Sequence, residues 1–355
     1  MSNDKTTECS SQIRMEINIS SNNSNNSFSS TPNNTSMDFI KNFKHEIEQT
    51  DHELDVKNSY EDQNHVKLIR VILDLQEMLE NYVTNLKPNM DINIEEIKLL
   101  AKEYDCSCEI TTRNKPFIKT ILQRKVLDAV YEFIKELSEY QGNDYTLELD
   151  IESKMEELLK LIDQFSKTRV GNEDGKVTAI KIRQQVYGIL GNRGFEDIIR
   201  SDGIYVHNLI GYASKNLNKM MNKYHKIKDV SKKNQVEAMA PKLIQDICKL
   251  FWFRLRVQEP IAEVHFFENN AKIDPDTMKG IREDDEIDQL CIGICYFPLI
   301  CQDFESPNRK IYTKAKVFPL HINDEDKVVE SSSISAGIGK LNNIYGFENF
   351  VILVP

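Results

Sequence analysis

The residues in this sequence best placed to do chemistry are cations. Between Gly211 and Asn234 stand Lys215, Lys219, Lys223, Lys226, Lys228, Lys232 and Lys233 against one acid, Asp229. That is 7 − 1 = +6 locally, in a chain of net charge -11. Lys215, Lys219, Lys223 and Lys226 are spaced 4, 4 and 3, which lines four ammonium groups along one helix face. Leu217, Met220, Met221, Tyr224 and Ile227 supply apolar surface elsewhere on the same segment. A basic amphipathic helix can lie on an anionic bilayer, gaining about 1 kcal/mol per lysine near the surface. It can equally dock on an acidic protein, or its lysines can merely keep a domain helix soluble. Nucleic acid is disfavoured because between Lys215 and Lys233 Tyr224 is the one Phe, Tyr or Trp ring for base stacking. The four lysines are therefore the candidate site for an anionic lipid or an acidic partner.

Other reactive residue types do not form a recognised pattern. Gly337-Ile338-Gly339-Lys340 lacks the earlier glycine and the Ser/Thr of a phosphate loop: Ile334 and Leu341 occupy those places. Cys291, Cys295 and Cys301 lie among Ile292, Ile294, Tyr296, Phe297 and Leu299, and read as buried inert thiols rather than paired zinc ligands. Cys106-x-Cys108 has no second pair nearby. The seven histidines, His45, His52, His65, His207, His225, His265 and His321, show neither H-x3-H nor HExxH spacing. The run Glu283-Asp284-Asp285-Glu286 lacks the spaced ligands and glycine of a calcium loop and reads as a solvated loop. The expectation is a non-enzymatic protein with no catalytic, cofactor-binding or metal-binding residues.

The elements that must position the lysines follow from periodicity. Residues 1–36 include a stretch, Ser20 to Ser36, with 13 Ser or Asn among 17 residues, too polar to offset the entropy of ordering. A disordered tail is expected there. Three apolar seams follow. The first is Leu68, Ile72, Leu75, Leu79, Tyr82 and Leu86; the second runs from Leu122 to Tyr140; the third is Ile151, Met155, Leu158, Ile162 and Phe165. Spacings of 4 and 3 mark helices with an a/d stripe. Residues 37–165 are thus a helical bundle or a coiled-coil region, with the first seam expected to support self-association between chains. Pro88, Pro116 and Gly142 interrupt the register, which favours the intramolecular bundle.

The polar stretch 166–176 reads as a linker, and 177–355 as a second domain. Helical pattern runs from Val177 to Leu190, from Ile204 to about Val230, and from Leu243 to Gln258, with Gly191-Asn192-Arg193-Gly194 as a stop. Strand-like periodicity follows at Ile261–Phe267, Leu290–Ile300, Ile311–Leu320 and Phe350–Val354. The fold class expected is α+β: a helical, coiled-coil-like N-terminal half, then a domain of helices and a small sheet.

Composition bounds the setting. No apolar run reaches the roughly 18–20 residues of a spanning helix. Residues 1–30 show neither the apolar stretch of a secretory signal nor the basic, acid-poor character of a mitochondrial presequence. Seven cysteines, an odd number, do not suggest a disulfide framework. A cytoplasmic protein is expected.

The run IQDICKLFWFRLRVQEPIAEVHFF, with Trp252 in a helix and Gln258-Glu259-Pro260 before an apolar strand, resembles the C-terminal domain of the mitochondria-eating protein (Mieap) family. Ile292 to Pro298 (IGICYFP) and Lys310 to Val317 (KIYTKAKV) are similar to the apolar stretch and strand that follow in that family. Between them come Ile273-Asp274 and a short helix from Asp276 to Ile281. The likeness covers about 180–325. It implies a factor of mitochondrial quality control, recruited from the cytosol to the mitochondrial outer membrane through cardiolipin and able to self-associate. A soluble adaptor that binds an acidic protein, with no lipid role, is the alternative.

Overall fold

In the computed structural model the residues described are 54–84, 90–106, 108, 110–111, 113–138, 147–171, 174–280 and 286–322. The tail 1–36, Leu86, Glu283-Asp284-Asp285, Gly337-Ile338-Gly339-Lys340 and the strand expected at Phe350–Val354 lie outside them. The chain divides into two units, Met1–Lys57 and Asn58–Pro355. Of the first, only the opening turn of one helix is described; the elements and contacts below belong to the second.

The fold is α+β. Helices α1 (Leu54–Thr84), α2 (Ile94–Glu103), α3 (Lys115–Ser138), α4 (Leu147–Thr168) and α5 (Asp174–Arg193) come first, with a short strand β1 (Met90–Ile92) between α1 and α2. A hairpin of β2 (Ile198–Arg200) and β3 (Gly203–Tyr205) leads into α6 (Asn208–Tyr224), β4 (His225–Ile227), α7 (Val230–Glu237) and α8 (Ala240–Cys248). The remaining strands are β5 (Glu263–His265), β6 (Met278–Lys279), β7 (Leu290–Phe297), β8 (Leu299–Gln302), β9 (Lys310–Thr313) and β10 (Ala315–His321).

The first seam does not wait for a second chain. Leu68, Ile72, Leu75, Leu79 and Tyr82 are each at most 3% exposed, packed into the chain's own core. Tyr82 donates to Asn218 Oδ1 of α6 at 2.8 Å, Gln76 Nε2 donates to Thr313 Oγ1 of β9 at 3.3 Å, and Lys119 of α3 pairs with Glu80. The expectation that these residues mediate self-association is therefore corrected. An a/d stripe of under three heptads is filled equally well by neighbours folding back after Pro88. The third seam behaves in the opposite way: Met155 is buried, but Ile151, Leu158 and Phe165 are 38%, 43% and 62% exposed.

The expected domain boundary is also corrected. Within 166–176 lie the end of α4, to Thr168, and the start of α5, from Asp174, two helices that pack on each other. One core cluster runs without interruption from Leu68 through Met155, Tyr187 and Leu250 to Ile300 and Tyr312. Arg256, in the chain after α8, pairs with Glu152 at 2.7 Å and Glu156 at 2.8 Å on α4 and donates to the Tyr187 hydroxyl of α5 at 2.6 Å. A polar turn in an antiparallel helix pair has the composition of an interdomain linker, so sequence alone does not separate the two.

Other local differences have local causes. The left-handed residue after α5 is Phe195 (φ 59), not a glycine; its ring stacks on Phe253 at 5.5 Å. Gly194 serves close approach instead, since a Cβ there would lie 2.8 Å from the Phe253 ring. Pro241 falls in the first turn of α8, where its missing N–H costs nothing. That helix continues only as a π turn (Lys249–Phe253) and a 3-10 turn (Arg254–Val257), with Trp252 stacked on Tyr131 at 5.6 Å. The short helix expected over 276–281 is a turn followed by β6.

Two three-stranded sheets, ordered β6-β10-β7 and β5-β8-β9, meet where β7 gives way to β8 at Pro298. Proline lacks the N–H that would continue the ladder, which suits the point where the chain changes sheets. Helix α3 is seated on β7 by a buried charge. Arg124 Nε donates to both oxygens of Asp128, at 3.0 and 2.9 Å, and its Nη1 donates to the Cys295 carbonyl at 2.9 Å. Tyr104 of the α2 end donates to Asp128 at 2.7 Å, and the guanidinium lies 3.8 Å from the centre of the Phe266 ring. Burial opposes the Arg124 charge most strongly, but Asp128 together with Cys295 and Tyr104 outweighs it, and the pKa is raised.

Removing one partner of such a pair strands the other in a dry core, at a cost of about 3–5 kcal/mol. Arg124→Ala is expected to lower the unfolding free energy from urea titration by that amount at unchanged m-value, whereas Lys98→Ala, on an exposed pair with Glu95, changes it by less than about 1 kcal/mol.

Candidate functional site

Helix α6 forms because its apolar residues recur at helical spacing. Leu209, Ile210, Ala213, Leu217, Met221 and Tyr224 are buried and anchor it in the core. The opposite face carries Tyr212, Lys215, Lys219 and Lys223, spaced 3, 4 and 4, all exposed. Among the described residues no carboxylate forms an ion pair with Lys215, Lys219 or Lys223. These three cations are therefore available to an external anion.

Lys226 does not join them. The helix ends at Tyr224, where the His225 N–H bonds to the Met221 carbonyl, and the chain turns into β4. Lys226 is exposed there but stands opposite Asp91 of β1, and Lys228 bonds the same carboxylate at 2.9 Å. Lys233 lies 3.7 Å from Glu237. Asp229, the lone acid of the segment, accepts from the N–H groups of Ser231 and Lys232 as the N-cap of α7. The 4-4-3 spacing assumed a helix through Lys226; a strand with an acidic neighbour replaces its last turn.

The structure adds a neighbouring feature. The hairpin just before α6 presents Ile199 and Ile204, direct cross-strand partners, at 81% and 71% exposure. Tyr205 and Val206 follow at 43% and 57%, and Tyr212 on α6 is 45% exposed. Val206 packs against Gly211, where an added Cβ would lie 3.8 Å from its Cγ1, so the hairpin end touches the first turns of the lysine helix. Arg200 lies over the Tyr205 ring at 5.4 Å. An apolar hairpin joined to a cationic helix face has the two components of interfacial membrane binding: area to bury and charge to attract phosphate. Ile199 and Ile204 are visible in the sequence only as two β-branched residues either side of Arg200-Ser201-Asp202-Gly203, a hairpin signal weaker than the helical pattern beside it.

The thiols occupy several places. Cys291, Cys295 and Cys301 are buried, as expected for apolar surroundings. Cys106 and Cys108 border an open cleft with Lys98, Lys102 and Asp105. Burial raises the Cys106 thiol to about 12, with Asn269 opposing, so it is a poor nucleophile at neutral pH. A second, smaller apolar cavity is lined by Leu127, Tyr131, Ile247, Phe251 and Phe266. Among the described residues, no helix is long and apolar enough to cross a membrane.

The helix's C-terminal boundary holds a buried histidine. His225 is buried, neither ring nitrogen has a hydrogen-bond partner, and burial lowers its pKa. The unfolded chain takes up that proton near pH 6.5, while the native chain does so only at lower pH. Stability is therefore lost as pH falls below about 6.5, with a slope of at most about 1.4 kcal/mol per pH unit. His225→Asn is expected to flatten the dependence of the urea midpoint between about pH 5 and 7 relative to the parent protein; identical slopes would show that His225 does not contribute.

No family model matches the chain, and neither a curated protein nor a solved structure was found to match it.

Proposed function

We propose that this chain is a non-enzymatic interaction protein that docks from the cytosol onto an anionic membrane surface through the α6 face and the hairpin before it. The observation that carries the reading is the junction of three exposed lysines, free of ion pairs with described residues, to an exposed Ile199–Ile204 hairpin. Each lysine near an anionic bilayer contributes about 1 kcal/mol, and burial of each isoleucine adds roughly 1.5–3 kcal/mol. Several such terms together suffice for reversible peripheral binding. Cardiolipin is the proposed lipid, because two phosphates on one headgroup meet clustered ammonium groups better than a zwitterion does. The resemblance of residues 180–325 to the mitochondria-eating protein family supports mitochondria as the membrane and quality control as the setting.

The full chain is the protein to test, since one core joins both halves. It is expected to co-sediment with cardiolipin-containing vesicles, to be released by raised salt, and to ignore phosphatidylcholine vesicles. Lys215→Glu, Lys219→Glu and Lys223→Glu combined are expected to abolish sedimentation, with each exposed change altering stability by no more than about 0.5 kcal/mol. Equal binding to neutral vesicles, or unchanged binding of the triple variant, would overturn the proposal. Binding to an acidic protein without vesicle binding would favour the adaptor reading.

Self-association belongs to the same proposal, through the open seam of α4 rather than the buried seam of α1. Ile151, Leu158 and Phe165 are exposed at heptad spacing, flanked by the Lys154–Glu157 and Lys167–Asp163 pairs. Light scattering is expected to show a dimer or larger species that Leu158→Glu with Phe165→Glu converts to a monomer. A parent protein that is monomeric at every concentration would remove this part.

A further inference from the structure

The pairing of β5 with β8 brings Cys301 to a Glu263-x-His265 pair that is far from it in sequence. Strand β5 pairs antiparallel with β8 in the register Glu263↔Cys301, Val264↔Ile300, His265↔Leu299. Glu263 and Cys301 are direct cross-strand partners, and His265, two residues from Glu263, shares its face of the sheet. One ligand atom from each of Glu263, His265 and Cys301 lies within 4.8 Å of the other two. His265 Nε2 is 2.9 Å from Glu263 Oε2. The His265 ring stacks on Phe304 at 4.2 Å, which fixes its plane, and Arg309 lies over the far ring at 6.0 Å.

We propose that Glu263, His265 and Cys301 form a three-ligand site for a divalent transition-metal ion of the zinc class, with the fourth position open to water. Thiolate, imidazole and carboxylate are the donor set such ions take, and three protein ligands with an open position is a recurrent zinc arrangement. The thiolate discriminates against calcium and magnesium, which require oxygen. Tetrahedral bonds of about 2.0–2.3 Å place donor atoms roughly 3.3–3.8 Å apart, so rotamer adjustments of about an ångström close the site. Glu263 and His265 are only partly buried and give the ion a path from solvent, while Cys301 closes the inner side.

The competing account is a histidine–glutamate pair beside an unrelated core cysteine. That pair needs only Glu263 and His265; the strand register that sets Cys301 directly opposite Glu263, with one donor atom of each residue within 4.8 Å of the others, is what a metal site adds to it. On binding, the Cys301 S–H proton goes to solvent and is replaced by a metal–sulfur bond. Glu263 and His265 supply lone pairs once the proton they share has moved to the other imidazole nitrogen, so the Cys301 proton is the one released.

Titration of the reduced full-length protein with Co2+ tests the site. The expected result is one ion per chain, a near-ultraviolet thiolate-to-cobalt charge-transfer band with tetrahedral visible bands, and displacement by Zn2+. Cys301→Ser is expected to abolish the charge-transfer band. His265→Asn and Glu263→Gln are each expected to weaken Co2+ binding by more than about tenfold. Cys106→Ser with Cys108→Ser is expected to leave the spectrum intact. Absence of the band at millimolar Co2+ would overturn the proposal, as would a band that survives Cys301→Ser or is lost with Cys106 and Cys108. Should Cys301→Ser fail to fold by circular dichroism, the His265→Asn titration decides: unchanged Co2+ affinity and spectrum overturn the site.

Discussion

A guanidinium buried away from water has to be surrounded by acceptors, and Arg124 dictates how three parts of the molecule meet. Its carboxylate partner comes from one turn along the same helix, a second acceptor from the backbone of β7, and an aromatic face from Phe266 in the loop after β5. Tyr104, from the end of α2, completes the shell around Asp128. Shifting α3 by one turn would keep the Arg124–Asp128 pair, which lies within the helix, but would strip it of the Cys295 carbonyl, the Tyr104 hydroxyl and the Phe266 face. Buried ion pairs are weak evidence for net stability, but they penalise alternative packings heavily. The network thus specifies a single seating of the helical layer on the strands, and from that seating follow the enclosure of the α1 seam and the placing of α6 at the surface.

Much of the architecture was legible in the sequence because it rests on local periodicity. The spacing locates helices within Leu68–Leu86, Leu122–Tyr140 and Ile204–Val230, though Ile204 itself lies in β3 and the last helix spans only Asn208–Tyr224. It also locates strands within Leu290–Ile300 and Ile311–Leu320, each of which is two strands, β7 with β8 and β9 with β10. What was not legible is which stripe meets which. The seams of α1 and α4 carry nearly the same 4-3 pattern, yet one is enclosed and the other exposed, because enclosure depends on partners more than a hundred residues away. The linker over 166–176 failed as a boundary for the same reason: a helix–helix turn and a domain junction have one composition and different tertiary surroundings.

The candidate surface divides along the same line. Lys215, Lys219 and Lys223 could be placed on one face from spacing because a helix fixes side-chain direction every 3.6 residues. Lys226 could not, since the strand that redirects it is set by pairing with Asp91 in β1. Glu263 and His265 share a strand face by spacing, but Cys301 could not be grouped with them that way; its proximity is a product of sheet register. Chemistry carried within one element is readable in the chain, and chemistry assembled across elements is not.

The continuity of the core has a consequence during synthesis. Gln76 on α1 meets Thr313 on β9 across a sequence separation of 237 residues, and β1 pairs with β4 across most of the helical region. A ribosome adding about 5–20 residues per second delivers the later partner roughly 10–50 s after the earlier one. Through that interval the α1 stripe lacks its β9 partner, while Lys119 of α3 and Asn218 of α6 arrive 39 and 136 residues after theirs. The nascent polypeptide carries a partly uncovered greasy stripe until β9 has been made, which makes it a natural client for cotranslational chaperones.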